Sequence, residues 1–134
     1  MIKQVSIFAG NRRGALHKIT SIIRENNINI TAISTNDSAE FGIIRMIVSD
    51  ADLAKKAFIE AGYQCKVTDV IGLILEDEVG YLDQLLQFIE ESYININYLY
   101  LTHDREINKP MILLHSDEPE EVGSCLSLKG YQIR

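Results

Sequence analysis

From its first residues the chain alternates, with Val5, Ile7 and Ala9 apolar on one side of an extended run. After Asn11-Arg12-Arg13-Gly14-Ala15-Leu16 the period changes, and Leu16, Ile19, Ile22 and Ile23 recur at helical spacing. This pattern predicts a strand over 2–8, a turn, and a helix from 14 to 25 or 26. Asn26-Asn27 closes that helix, because asparagine tolerates left-handed backbone at a helix end. A second strand is expected over 28–35, a polar turn over 36–40 and a third strand over 41–48. Ser49-Asp50 supplies an N-cap for a short helix over 52–61, with Leu53, Ala57 and Phe58 inward and Gly62 at its end. A fourth strand begins at Tyr63.

The order so far is β-α-β-β-α-β, the split βαβ arrangement of ferredoxin-like domains. The pattern then repeats. At an offset of 66, Val5 and Ile7 meet Ile71 and Leu73, Gly14 meets Gly80, Leu16 meets Leu82, and Ile28-Asn29-Ile30 meets Ile94-Asn95-Ile96. At 67, Ser49-Asp50 meets Ser116-Asp117, and at 68, Gly62-Tyr63 meets Gly130-Tyr131. The register predicts an internal duplication, with repeats at 1–68 and 69–134. Only Asp69 interrupts the apolar sequence between them, and a unit this small is marginal alone. The expected fold is therefore α+β. Two tandem ferredoxin-like repeats pack side by side, their antiparallel sheets covered by helices on one face. Pro119 opens the last helix, which carries Gly123 and ends near Leu128, and the final strand is brief.

Composition narrows the function classes. With 46% hydrophobic and 24% charged residues the chain reads as soluble and globular, and no apolar run reaches the ~20 residues of a membrane span. Met1-Ile2-Lys3-Gln4 leads straight into strand-like sequence without the apolar core of a signal peptide. Cys65 and Cys125 lack metal or CxxC spacing, so two incidental buried thiols in a cytoplasmic protein are expected. The net charge of −6 argues against nucleic acid. That charge is uneven: residues 1–66 hold nine Lys/Arg against six Asp/Glu, and residues 67–134 hold four against thirteen.

The chemistry concentrates at the two turns. Asn11, Arg12, Arg13, Gly14, Ala15 and Leu16 correspond to Asp77, Glu78, Val79, Gly80, Tyr81 and Leu82. A turn that opens a helix offers unpaired N–H groups and the positive end of the helix dipole to an anion. Glycine lets a ligand approach the backbone. The first turn is basic and suits a carboxylate. The second, with Glu76, Asp77 and Glu78, suits an ammonium, a helix cap or nothing. His17, His103 and His115 have no metal spacing, and there is no P-loop, G-x-S-x-G or catalytic Cys-His signature, so no cofactor is expected.

A strand, a D/N-x-x-G-x-L turn, an amphipathic helix and an I-N-I strand, all occurring twice, resemble the ACT domain, a small regulatory module of amino-acid metabolism. Phe41-Gly42-Ile43-Ile44-Arg45-Met46-Ile47-Val48-Ser49-Asp50 also resembles the third strand of tandem ACT proteins. Many ACT turns read D-R-P-G, and here both lack the proline. The resemblance implies a non-catalytic regulator that binds a free amino acid at an interface between ACT units, forms a homodimer and acts on a regulated enzyme. It adds Asn29, Ile30 and Thr31, with Asn95, Ile96 and Asn97, as contacts to the ammonium end, and Asp37 near a ligand's side chain. RNA-recognition, metal-transfer and acylphosphatase-like domains share the strand order. The charge, the missing CxxC and the duplication set them aside. The alternative is an assembly module with a degenerate site that acts through protein contacts.

Overall fold

A computed structural model describes residues 1–10, 12–36 and 41–134, and the side chain of Phe41 is not described. Asn11 and Asp37 lie outside the described residues. The elements are β1 (Ile2–Gly10), α1 (Ala15–Glu25), β2 (Ile30–Asn36), β3 (Phe41–Val48), α2 (Ala51–Glu60) and β4 (Gln64–Ile74). They continue with α3 (Tyr81–Glu91), β5 (Tyr98–Asp104), β6 (Lys109–His115) and α4 (Pro119–Lys129). Two compact units result, Lys3–Thr68 and Asp69–Arg134 with Met1–Ile2. The boundary falls inside β4, which runs unbroken through Asp69.

In the first unit the strands lie in the order β2-β3-β1-β4, with β3 antiparallel to both β1 and β2. Val5, Ile7, Ala9, Ile44 and Met46 share one face and pack against Ile19 and Ile23 of α1 and Ala54 and Phe58 of α2. Leu53, expected inward, is exposed. The buried stripe of α2 instead follows Ala54 and Phe58, one turn apart. Asp50 caps this helix, its Oδ1 accepting from Leu53 N–H at 3.0 Å.

In the second unit β6 lies between β4 and β5, antiparallel to both. On the other side of β4 the missing fourth strand is reduced to a bridge between Leu73 and Ile133. The core gathers Ile71, Leu73, Leu75, Ile112 and Leu114 under Leu85 and Ile89 of α3 and Val122 and Leu126 of α4. Cys65 and Cys125 are free thiols, half-buried rather than buried.

Two expectations need correction. The strands after α1 and α3 do not start at the isoleucines. Ile28 N–H donates to Ile23 C=O at 3.1 Å, and Ile94 N–H to Ile89 C=O at 3.2 Å, closing each helix in a Schellman motif. Those amides are spent on the helix, so β2 begins at Ile30, and Ile94, Asn95, Ile96 and Asn97 precede β5. The offset between repeats also does not pass through 67. Ile7 pairs with Ile44 and Leu73 with Ile112, and Asp50 and Glu118 occupy the same cap position. The offset is therefore 68 from the third strand onward, and both extra residues sit in the β5–β6 hairpin.

Candidate functional site

The two turns have the same backbone. Ala15 N–H donates to Arg12 C=O at 3.1 Å and Tyr81 N–H to Glu78 C=O at 3.2 Å. Gly14 has φ 83° and ψ −3°, and Gly80 has φ 86° and ψ −1°. These are type II turns with glycine at the left-handed third position. Neither helix has a side-chain cap, so Asp77 does not cap α3. Helical bonding starts only at Lys18 N–H to Gly14 C=O and Gln84 N–H to Gly80 C=O, both 3.0 Å. Among the described residues, the N–H groups of Leu16 and His17 therefore have no backbone partner, and neither do those of Leu82 and Asp83.

Around the first turn lies a pocket of about 290 Å³. Ala9 and Gly10 at the end of β1 line it together with Arg12, Ala15 and Leu16. Thr35 and Asn36 at the end of β2 and Gly42 and Ile44 of β3 complete it. The Arg12 side chain lies along Gly10, its Nε 3.8 Å from where a Cβ on Gly10 would stand. Among the described residues the guanidinium has no ion-pair partner. Arg13 is exposed and does not line the pocket.

The same positions of the second turn are filled. By ladder register Ala9, Gly10, Ala15 and Gly42 correspond to Leu75, Glu76, Tyr81 and Pro110, each of them larger. Glu76 reaches Lys109 Nζ at 3.0 and 3.3 Å. Tyr81 meets Tyr131 edge to face at 6.3 Å. Burial pushes the Tyr81 phenol above its ordinary pKa, with Tyr131, Glu76 and Glu78 adding to the rise and Lys109 opposing it. Asp77, Glu78, Val79 and Gly80 are exposed, and Leu82 packs partly against the core.

The strand-opening residues form separate clusters. Asn29 and Ile30 line a cleft of about 420 Å³ with Thr20, Ile23, Arg24, Asn27 and Ile28, beside the C-terminal end of α1. Asn29 is clasped to Ser49: its N–H donates to Ser49 Oγ at 3.0 Å, and Ser49 N–H returns to Asn29 C=O at 2.9 Å. Thr31 Oγ1 donates to Ile47 C=O at 3.2 Å. In the second unit Asn95 lines an open cleft of about 480 Å³ with Tyr93, Ile94, Asp117, Glu118 and Glu121 among others. Asn97 Nδ2 donates to Asp117 Oδ1 at 2.8 Å and contacts His115 Nδ1 at 3.0 Å, while the His115 ring stacks on Tyr98 at 4.8 Å. Ile96 packs against the core.

Within one unit, then, the turn and the strand opening do not meet. The turn lies beside Thr35 and Asn36 at one end of β2, and Asn29 and Ile30 lie at the other. Sequence reasoning missed Ala9, Thr35, Asn36, Gly42 and Ile44 at the first turn, and Ser49 and Asp117 at the strand openings. The signal within the first group was two small residues facing larger ones, Ala9 against Leu75 at an offset of 66 and Gly42 against Pro110 at 68; Thr35, Asn36 and Ile44 gave no such contrast. Among the described residues no group of His, Cys, Asp and Glu could hold a metal, and no helix is long and apolar enough to cross a membrane.

The ACT domain pair family matches residues 1–132. Among solved structures, the protein BT0572 from Bacteroides thetaiotaomicron superposes with a TM-score of 0.90 at 30% identity, over 99% of this chain and 91% of that one. The ligand-free regulatory subunit of aspartate kinase from Thermus thermophilus shares the fold with a TM-score of 0.65 at 13% identity, over 94% and 91%. Aspartokinase III of E. coli, in complex with lysine and aspartate, gives 0.56 at 16% identity, over 95% of this chain and 31% of that one. No curated protein matches the chain.

Proposed function

Since the chain belongs to the ACT domain pair family, we propose that it is a non-catalytic regulatory protein that binds a free amino acid at an interface between ACT units, with domain limits at 1–68 and 69–134. The observation that carries this is the pocket at the first turn, where an arginine with no ion-pair partner among the described residues and the open end of α1 face an apolar floor. Arg12 and the helix end take the carboxylate. Asn29 and Thr31, or Asn95 and Asn97, supply oxygens to the ammonium. In one unit these groups lie at opposite ends of the second strand, so a site using both draws them from two units. That favours a homodimer, and occupancy that alters the pairing of units gives a route to a regulated enzyme. The half-buried free thiols agree with a cytoplasmic protein.

The test is a thermal-shift screen of the twenty amino acids at millimolar concentration, since a ligand that binds only the folded state raises the melting temperature. A saturable rise that Arg12→Gln removes supports the proposal. A flat screen favours the second reading, an assembly module acting through protein contacts. The filled counterpart at Tyr81 and the Glu76–Lys109 pair is the observation that speaks for it.

A further inference from the structure

We infer that the first-turn pocket is built for a ligand with one carboxylate on a compact, uncharged, apolar body. This deepens the proposed function and rests on that pocket being the ligand site. Charge comes first. Arg12 is the only charged residue among the described ones that line the pocket. Its planar fork suits a carboxylate. Among the described lining residues there is no acidic partner, so there a cationic ligand side chain would be desolvated without compensation, and a second anionic group would find no second cation.

The floor gives the body of the ligand. Ala9 and Ile44 are 8% and 6% exposed, while Leu16 at the mouth is 45% exposed although it sits on the apolar stripe of α1. A leucine left open beside a buried apolar floor gains by being covered with an apolar group. The volume, about 290 Å³, lies at the small end for ligand pockets and limits that group to something compact.

The other unit supports the same chemistry. Where the first turn has small residues, the second has Leu75 and Tyr81 filling apolar space and the Glu76 carboxylate held by a cation, Lys109. An apolar body and a carboxylate paired with a cation are thus provided there by the chain itself. At the first turn the described residues provide neither element, and a ligand would bring both.

The experiment measures binding to the full chain by calorimetry. The probes are leucine, isoleucine, valine, methionine and phenylalanine, then aspartate, glutamate, lysine and arginine, then 4-methylpentanoate as leucine without its amine. The inference expects saturable binding of one or more apolar amino acids. Ala15→Tyr, a residue the fold already accepts at the matching position, should weaken it by roughly tenfold or more. Gly10→Glu serves as a second filling variant if the first fails to fold. Tighter binding of a charged amino acid overturns the inference and leaves amino-acid binding intact. Equal binding of 4-methylpentanoate keeps the apolar carboxylate class and overturns the amino-acid reading. Apolar binding untouched by both filling variants moves the ligand elsewhere and overturns the inference, and no binding by any probe overturns both.

Discussion

Glu76 and Lys109 meet at 3.0 Å at the ladder position that Gly10 and Phe41 hold in the other unit. Their side chains are 48% and 42% exposed, so water screens the attraction and ordering two long side chains offsets much of it. Glu76→Ala should therefore change unfolding free energy by no more than about 1 kcal/mol, and less at high salt. Urea unfolding at two ionic strengths checks this. A loss well above that figure, insensitive to salt, would mean that the pair is part of the packing and does not simply fill an unused turn.

Tyr93 closes α3 with φ 58°, where Asn27 closes α1 with φ 55° and Gly62 and Gly130 close the other two helices. A tyrosine in left-handed backbone is strained by about 1–2 kcal/mol. The residue is 98% exposed, so it recovers little by burial. Tyr93→Gly should stabilise the protein by about 1 kcal/mol, part of the relief being offset by the freedom of glycine in the unfolded chain. Chemical denaturation reads this directly, and a destabilised variant would show that the ring contributes a contact outweighing its backbone strain.

Val79 stands second in its type II turn, the place where proline is favoured, and it is fully exposed. Among the described residues its N–H has no hydrogen-bond partner. Val79→Pro should add about 0.4–1 kcal/mol, chiefly by restricting the unfolded chain. The absent proline of the D-R-P-G pattern is then a loss of stiffness, with the bend held by Gly80 alone. A fall in melting temperature would contradict this.

These cases show what was legible in the residues. The β-α-β-β-α order of both halves and the paired turns follow from local periodicity and from glycine, while the last strand of the second half is only a bridge at Ile133. The start of β2 was not legible, because Ile28 is apolar and β-branched whether its amide joins a ladder or closes a helix. Nor was the inward face of α2, where Ala54 is buried and the larger Leu53 is not. The pocket was the least visible part. Ala9 and Gly42 become neighbours only when β1 pairs with β3, and while Ala9 faces Leu75 at an offset of 66, the contrast of Gly42 with Pro110 appears only at 68. Arg12 and Ala15 were readable as a turn; that they face open space is a property of the ladder.

Asp104 carries the clearest pH dependence. Its carboxylate is 8% exposed at the tip of the β5–β6 hairpin. Oδ1 accepts from Glu106 and Ile107 N–H at 2.9 and 3.2 Å, and Oδ2 accepts from Arg134 Nε at 2.7 Å. Burial alone would raise its pKa. The bonds from Ile107, Arg134 and Glu106, with the arginine charge, outweigh that and hold the carboxyl below its ordinary range. Because the folded value lies below the unfolded one, the unfolded chain binds more protons over the interval between them, and stability rises with pH there. The contribution is present in full above the ordinary aspartate range and is lost as pH falls through the folded value. Asp104→Asn keeps an acceptor for the hairpin amides but removes the charge facing Arg134. It should lower stability near neutral pH by on the order of 1 kcal/mol and flatten the acid limb of a stability–pH profile. Urea midpoints across an acid-to-neutral series test both effects, and an unchanged acid slope in the variant would assign that limb to other carboxylates.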